Sequence, residues 1–451
     1  MQSGTVQKLI DIFNRSCQRL DTHVSLEKLE ELAVTIHRGM TAQARNFHTL
    51  EHVFSFIDPE DPIRTLAALY HDIIYYQVDM GFSPHLWKII SPYVQQRASE
   101  FFLCKPIAAA DEIAHLTLEV FDLNPGQHLS SFTALNEFLS ALVMNKQLEG
   151  IVSKKDLLLM TICVEATIPF RAVSHGQSHF AIMETRLSEI AARHAIALSP
   201  EEITDTIRKA VLFANKDIEN FAEIDPGRFL DNTWKLLPET NPALRLPDVY
   251  SIGTYRQALQ KMADFFENLD PDSVFNQYRG VPSDQEFSLM LASARSNLRI
   301  AREYLKIKIL AMTILEALAV ATGGDAPVSL FMGDVPREGV SIKRLEYFLP
   351  ELEPPAWVDE NSTLYRLLES GRASETSFDM KNSPLSLFIY KSLTPQEVEQ
   401  ALLHAQEMYT QKVNAHEFLT GISHAVVASI ASASALMVFT RRQALSKYAE
   451  Y

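Results

Sequence analysis

Residues 61–75 read DPIRTLAALYHDIIY. Asp61 followed by Pro62 is a helix start. An aspartate at the N-cap accepts from the open N–H groups of the first turn, and proline suits the first helical position because its missing N–H has no partner there anyway. The apolar run that follows predicts a helix continuing through His71 and Asp72. A carboxylate set among Leu69, Tyr70, Ile73 and Ile74 needs a positive partner, because burying it unpaired is costly. The candidates are a structural Arg or Lys, or a metal ion. Just upstream, residues 45–53 read RNFHTLEHV. Residues four apart on a helix lie one turn above each other, so the spacing predicts His48 and His52 on one helical face.

The same signals recur outward from this stretch. Residues 25–39 place Leu26, Leu29, Leu32, Ala33 and Ile36 at helical spacing behind Ser25 as a cap. Ser199-Pro200-Glu201-Glu202 repeats the start signal, adds a capping-box glutamate, and predicts a helix to about Ala222. Thr394-Pro395-Gln396-Glu397 does so again. Alternating strand patterns are rare and short, so the expected fold class is all-α. A chain of 451 residues exceeds one typical core. The boundary is expected in the three-proline stretch 236–250, LLPETNPALRLPDVY, giving an N-terminal domain 1–235 and a helical C-terminal region 236–451, with a further break near 350–360.

Composition narrows the function. The net charge is −15, from 41 basic and 56 acidic side chains, which argues against a general nucleic-acid or anionic-membrane binder. A phosphate substrate needs only a local basic pocket and stays open. Cys17, Cys104 and Cys163 have no CxxC spacing and fit a reducing compartment. The N-terminus lacks a basic stretch followed by an apolar one, so no signal peptide is read and a cytoplasmic location is expected. Residues 425–439, AVVASIASASALMVF, are apolar but fall short of the ~20 residues of a membrane span. Their small side chains suit a buried, closely packed helix.

Eleven of the fourteen histidines lie in residues 1–194, so the chemistry is expected in the first half. Asp217 shares a helix face with Ala210, Phe213, Ala214 and Phe221, and so points to the core. Histidines and aspartates offered by separate helices make a mixed nitrogen and oxygen site. Such a site suits Mn²⁺, Fe²⁺, Co²⁺ or Mg²⁺, with positions left for water and substrate. Plainer readings stand beside these. A His-Asp dipeptide alone is expected by chance in a chain of this length. Asp217 could pair with Lys216 or Arg208, and Glu165 could form a buried salt bridge with Arg171. His175 and His179 form a second HxxxH in what reads as a loop. His85 could complete a second metal site. His404, His416 and His424 read as structural, and Asp325 and Asp334 as loop residues. The segment TGGDAPVSL has no GKS or GKT and is not a P-loop.

The pattern H…HD…D on helices resembles the HD superfamily of metal-dependent phosphohydrolases. R-x-F-H-x-x-x-H-V followed by A-x-Y-H-D-I-I-Y is similar to the subgroup with a Y-H-N signature, a second His four residues on, and F-H-D-h-h-Y. The resemblance spans roughly residues 20–220. It implies His52, His71, Asp72 and Asp217 as ligands of a divalent ion (Mn, Fe, Co, Mg or Zn). Phe47 and Thr49 depart from the signature, which leaves His48 as a ligand, a group bonded to a ligand, or a phosphate-facing acid. The activity implied is hydrolysis of a small phosphorylated substrate, a phosphoester or phosphoanhydride such as a nucleotide, by metal-activated water. In that scheme Arg45 and Arg171 bind phosphate oxygens, with Lys216 a weaker candidate, and Glu165 serves as general base or second-metal ligand. Two alternatives stay open: an HD-type diiron oxygenase, which needs more ligands, and an inactive HD-like scaffold. The C-terminal half could serve an oligomer or a protein partner.

Overall fold

A computed structural model describes residues 4–98, 100–130, 134–171, 178–246, 249–335 and 342–450. The fold is all-α. Among the described residues the one small sheet is antiparallel, with Glu100–Leu103 between Val94–Arg97 and His128–Leu129; Val94 faces Leu103, and Phe101 faces Leu129. No helix of the described residues is long and apolar enough to cross a membrane. The small-residue stretch forms the helix His424–Met437, which buries Val426, Val427, Ile430, Ala431, Ala433 and Ser434.

The chain forms two compact units. The first comprises Met1–Asn220 and Asp272–Ala292, and the second Phe221–Pro271 and Ser293–Tyr451. The proline-rich stretch does not mark their border. Pro238 lies inside the helix Pro226–Thr240, and Pro242 opens the 3-10 turn Pro242–Arg245. A proline there removes the bond to the carbonyl four residues back and does not favour continuing the helix, which ends two residues later. The segment 350–362 has no helix or strand and stays within the second unit.

In the first unit the helix Pro62–Tyr70 runs through the core. Leu66, Ala67, Ala68, Leu69 and Tyr70 are all fully buried. It packs against Thr5–Arg19, Leu135–Leu148 and Lys154–Ala166, and Pro200–Asp217 packs on the last of these. Each large apolar side chain buried here contributes about 1.5–3 kcal/mol. Polar groups are paired across the same core: Tyr70 donates to Gln147 Oε1 at 3.0 Å, and the Asn145 amide donates to Thr117 and Thr161, each at 2.8 Å. The returning segment 272–292 is tied to the end of Pro200–Asp217. Asn215 donates to the Asn276 carbonyl at 2.8 Å and accepts from the Asn276 N–H at 2.8 Å. Gly39 lets Leu26–Met40 approach the 71–74 turn, since a Cβ there would meet Ile73 Cγ1 at 2.7 Å.

Three helix limits differ from the sequence expectation. The cap at Asp61 and Pro62 is as expected, with Asp61 accepting from the Arg64 N–H, but this helix ends at Tyr70. His71 and Asp72 lie in the turn that follows. That turn is held from elsewhere: the Ile74 N–H donates to Ser140 Oγ at 3.1 Å, and Arg45 donates to the Asp72 carbonyl at 2.7 Å. His48 does not share a helix with His52, because it lies in the bend before the short helix Leu50–Phe54, whose N-cap residue is Thr49. The helix from Pro200, with its Ser199–Glu202 capping box, ends at Asp217, and a separate 3-10 turn covers Glu219–Ala222.

Candidate metal centre

Four side chains converge in the first unit. His52 comes from Leu50–Phe54, His71 and Asp72 from the turn after Tyr70, and Asp217 from the last position of Pro200–Asp217. Each offers one ligand atom, and these atoms all lie within 4.8 Å of one another. His71 Nε2 is 3.1 Å from Asp72 Oδ2 and 3.4 Å from Asp217 Oδ1; His52 Nε2 is 3.2 Å from Asp217 Oδ1 and 3.7 Å from Asp72 Oδ2. Donors about 2.0–2.2 Å from a small divalent ion stand roughly 3–4 Å apart, so the four fit one ion.

The protonation pattern favours the same reading. His71 is 1 % exposed, and its Nδ1 donates to the Ala68 carbonyl at 2.8 Å. A carbonyl only accepts, so the Nδ1 proton is fixed and Nε2 is turned toward the two carboxylates. His71 Nε2 and Asp72 Oδ2 are both buried and face each other at 3.1 Å without a hydrogen bond of ordinary geometry. Burial pushes His71 toward neutrality, but Asp72 and Asp217 outweigh it and raise its pKa well above the ordinary value. Burial would raise both carboxylates, yet the histidines hold Asp72 and Asp217 below the usual range. The cluster therefore demands positive charge, whether as a proton or as a cation.

Aromatic rings wall the imidazoles. Phe56 lies 5.1 Å from His52 and 4.9 Å from His71 between ring centroids, and Phe213 lies 5.9 Å from His71. Phe47, one of the departures from the signature, packs 5.1 Å from His52. His48 stands beside the four, 6.0 Å from His52 and 4.6 Å from the Tyr75 ring.

The remaining candidates are placed differently. Arg45 is fully buried, and its five N–H donors go to Asp79 (2.9 and 2.6 Å), Met40 Sδ and the Asp72 and Ile73 carbonyls. None remains for a phosphate, so Arg45 acts as a clamp behind the turn that carries Asp72. Glu165, 1 % exposed, pairs with Arg171 at 2.6 Å and His179 at 3.1 Å. Burial raises its pKa, but Arg171 and His179 outweigh this and bring it to about 2. A carboxyl so acidic is a weak base, and Arg171 is committed to it; the plainer salt-bridge reading describes this pair. Asp217 pairs with neither proposed cation: Lys216 binds Glu219 at 2.6 Å, and Arg208 donates to the Arg279 carbonyl at 2.9 Å. His85 contacts Thr35 Oγ1 at 3.0 Å and does not join the four. His175 lies outside the described residues.

Glu137 was not singled out by the sequence. It sits in the first turn of Leu135–Leu148, partly buried. Burial, with the charges of Asp72 and Asp217 added, raises its pKa to about 7 despite Arg171. A glutamate at the start of a helix is ordinary for the helix dipole, so nothing local marks it. No family model matches the chain, and neither a curated protein nor a solved structure is significantly similar to it.

Proposed function

We propose that the first unit is a metal-dependent phosphohydrolase of the HD type, acting on a small phosphoester or phosphoanhydride. The observation that carries this reading is the buried pair His71 Nε2 and Asp72 Oδ2, facing each other at 3.1 Å without a well-formed hydrogen bond, beside His52 and Asp217. These four residues would hold a divalent ion, with the mixed donor set favouring Mn, Fe, Co or Mg over a thiolate-type zinc site. A bound ion supplies Lewis acidity toward a phosphoryl oxygen and acidifies water. The chain supplies the rest. Ala68 fixes the His71 tautomer, the Arg45 clamp fixes the turn that carries Asp72, and Phe56 and Phe213 pack on the buried His71 imidazole. His48, beside the cluster and against Tyr75, is the candidate to exchange a proton with the leaving group. Glu137, with a pKa near neutrality, is suited to the same work. Four converging donors support one ion better than the two that the oxygenase reading requires.

The test is elemental analysis of the purified protein beside Asp72→Ala, followed by a screen of phosphorylated compounds. We expect about one equivalent of a divalent metal in the wild type, none in the variant, and phosphate release only by the former. Absence of metal from both after reconstitution would leave an inactive scaffold; metal without phosphate release would refute the hydrolase.

A further inference from the structure

The second unit holds its own buried charged cluster, and this one is short of negative charge. Lys308, on the helix Asp284–Ala321, is 4 % exposed. Its ammonium pairs with Asp379 Oδ2 at 2.8 Å and donates to Ser383 Oγ at 3.0 Å. It stands 5.6 Å from the Trp234 ring centre and 5.9 Å from those of Tyr255 and Tyr304. The buried Arg372 donates to the same Asp379 oxygen at 3.3 Å, and Trp234 Nε1 does so at 2.9 Å. Two buried cations thus share one carboxylate, and the shared oxygen already receives three donors.

A small cavity of about 50 Å³ lies against this cluster, walled in part by Lys308, Tyr255, Asn382, Ser383 and Ser386. Arg344 and Asp334 also line it, but Arg344 is matched by Glu346 at 2.6 Å and Asp334 is exposed. Two features of the wall point to a ligand. Tyr255 is 2 % exposed, and its hydroxyl, close to Asp379, makes no hydrogen bond of ordinary geometry. Ser383 is the N-cap residue of the nine-residue helix Pro384–Ser392, yet its side chain does not cap it; the hydroxyl meets Lys308 and the Tyr304 hydroxyl (2.7 Å) instead. The first-turn N–H groups of Leu385 and Ser386 therefore receive no cap from Ser383 and carry the partial positive charge of a helix start.

We propose that this cavity is a second ligand site, built for a small anionic group, a carboxylate or a phosphate. Lys308 and the helix start supply the counter-charge, and the Tyr255 hydroxyl a hydrogen bond. A neutral occupant would leave the second buried cation uncompensated. The volume holds a group of a few heavy atoms, since one water needs roughly 10–15 Å³ by the same measure. The site is independent of the proposed phosphohydrolase centre.

The experiment is calorimetric titration of the full-length chain, freed of metal by chelation, with acetate and separately with inorganic phosphate. We expect saturable one-to-one binding of one of them, and the tighter anion identifies the class. Tyr255→Phe removes a hydroxyl that Asp379 does not hold in a well-formed bond, so its Tm without ligand should change little, while binding weakens by about 5- to 10-fold. Asp72→Ala should bind as the wild type does, which separates this site from the first unit. Lys308→Met should abolish binding if it folds; the Tyr255 variant decides the matter if it does not. Failure of both anions to saturate into the millimolar range, or unchanged affinity in Tyr255→Phe, would overturn the proposal.

Discussion

The two units each bury a charged cluster, and the imbalances have opposite sign. In the first, two carboxylates face two imidazoles whose remaining nitrogens are turned inward. In the second, an ammonium and a guanidinium share one carboxylate. Buried charge is tolerated when it is paired and hydrogen-bonded, so an imbalance that persists inside a core marks where a further charge belongs. The contrast shows that counting the partners of each buried group says more than the presence of a His-Asp pair or a buried lysine.

That contrast can be broken most severely at His71. His71→Ala should lower divalent-metal affinity by at least about 100-fold, beyond the effect of losing a supporting group, while circular dichroism keeps the helical signal. If the fold is lost instead, the pair is structural. Next comes Asp379→Asn, which strips from Lys308 and Arg372 the carboxylate that they share. Breaking a buried pair from one side typically costs about 3–5 kcal/mol, to be read from urea unfolding. A near-neutral result would mean that the second cluster is not short of negative charge.

Acid unfolding sharpens the comparison with a pair that is balanced. Glu165 has its folded pKa depressed from the ordinary 4.5 to about 2. Its contribution is therefore complete above about pH 5 and lost as pH falls toward 2. The shift corresponds to about 3 kcal/mol. Glu165→Gln should lack that portion of the stability decline between pH 5 and 2 in a chemical-denaturation series; an unchanged slope would mean that the pairing is weak in solution. The smallest effect is expected at Lys216. Its ion pair with Glu219 is exposed, so Lys216→Ala should change stability by less than about 1 kcal/mol and leave metal content alone. A loss of metal would revive the reading in which Lys216 is the partner of Asp217.

Much of the candidate site was legible because its signals are local. The caps at Asp61 and Ser199 and the apolar neighbours of His52, His71, Asp72 and Asp217 can all be read within a few residues. What was not legible comes from distant parts of the chain. Periodicity carries the Pro62 helix past Tyr70, but Arg45 and Ser140, 27 and 66 residues away from their partners, bind the chain into a turn there. The same Arg45 looked like a phosphate ligand because nothing in the sequence near it announces Asp79. Glu137 was missed because its raised pKa comes from Asp72 and Asp217, which lie far away in sequence. The unit border was misplaced because prolines are informative only when they fall outside a helix, and Pro238 falls inside one.

The return of residues 272–292 to the first unit has a consequence for synthesis. The Asn215–Asn276 bonds brace the helix that presents Asp217, and Tyr278 and Arg279 both hold Glu184, at 2.8 and 2.7 Å. A ribosome must therefore deliver some seventy residues beyond Asn220, including a length of chain that belongs to the other unit, before the first unit can close. A fragment that stops at residue 220 would emerge with every proposed metal ligand and without the brace for one of them.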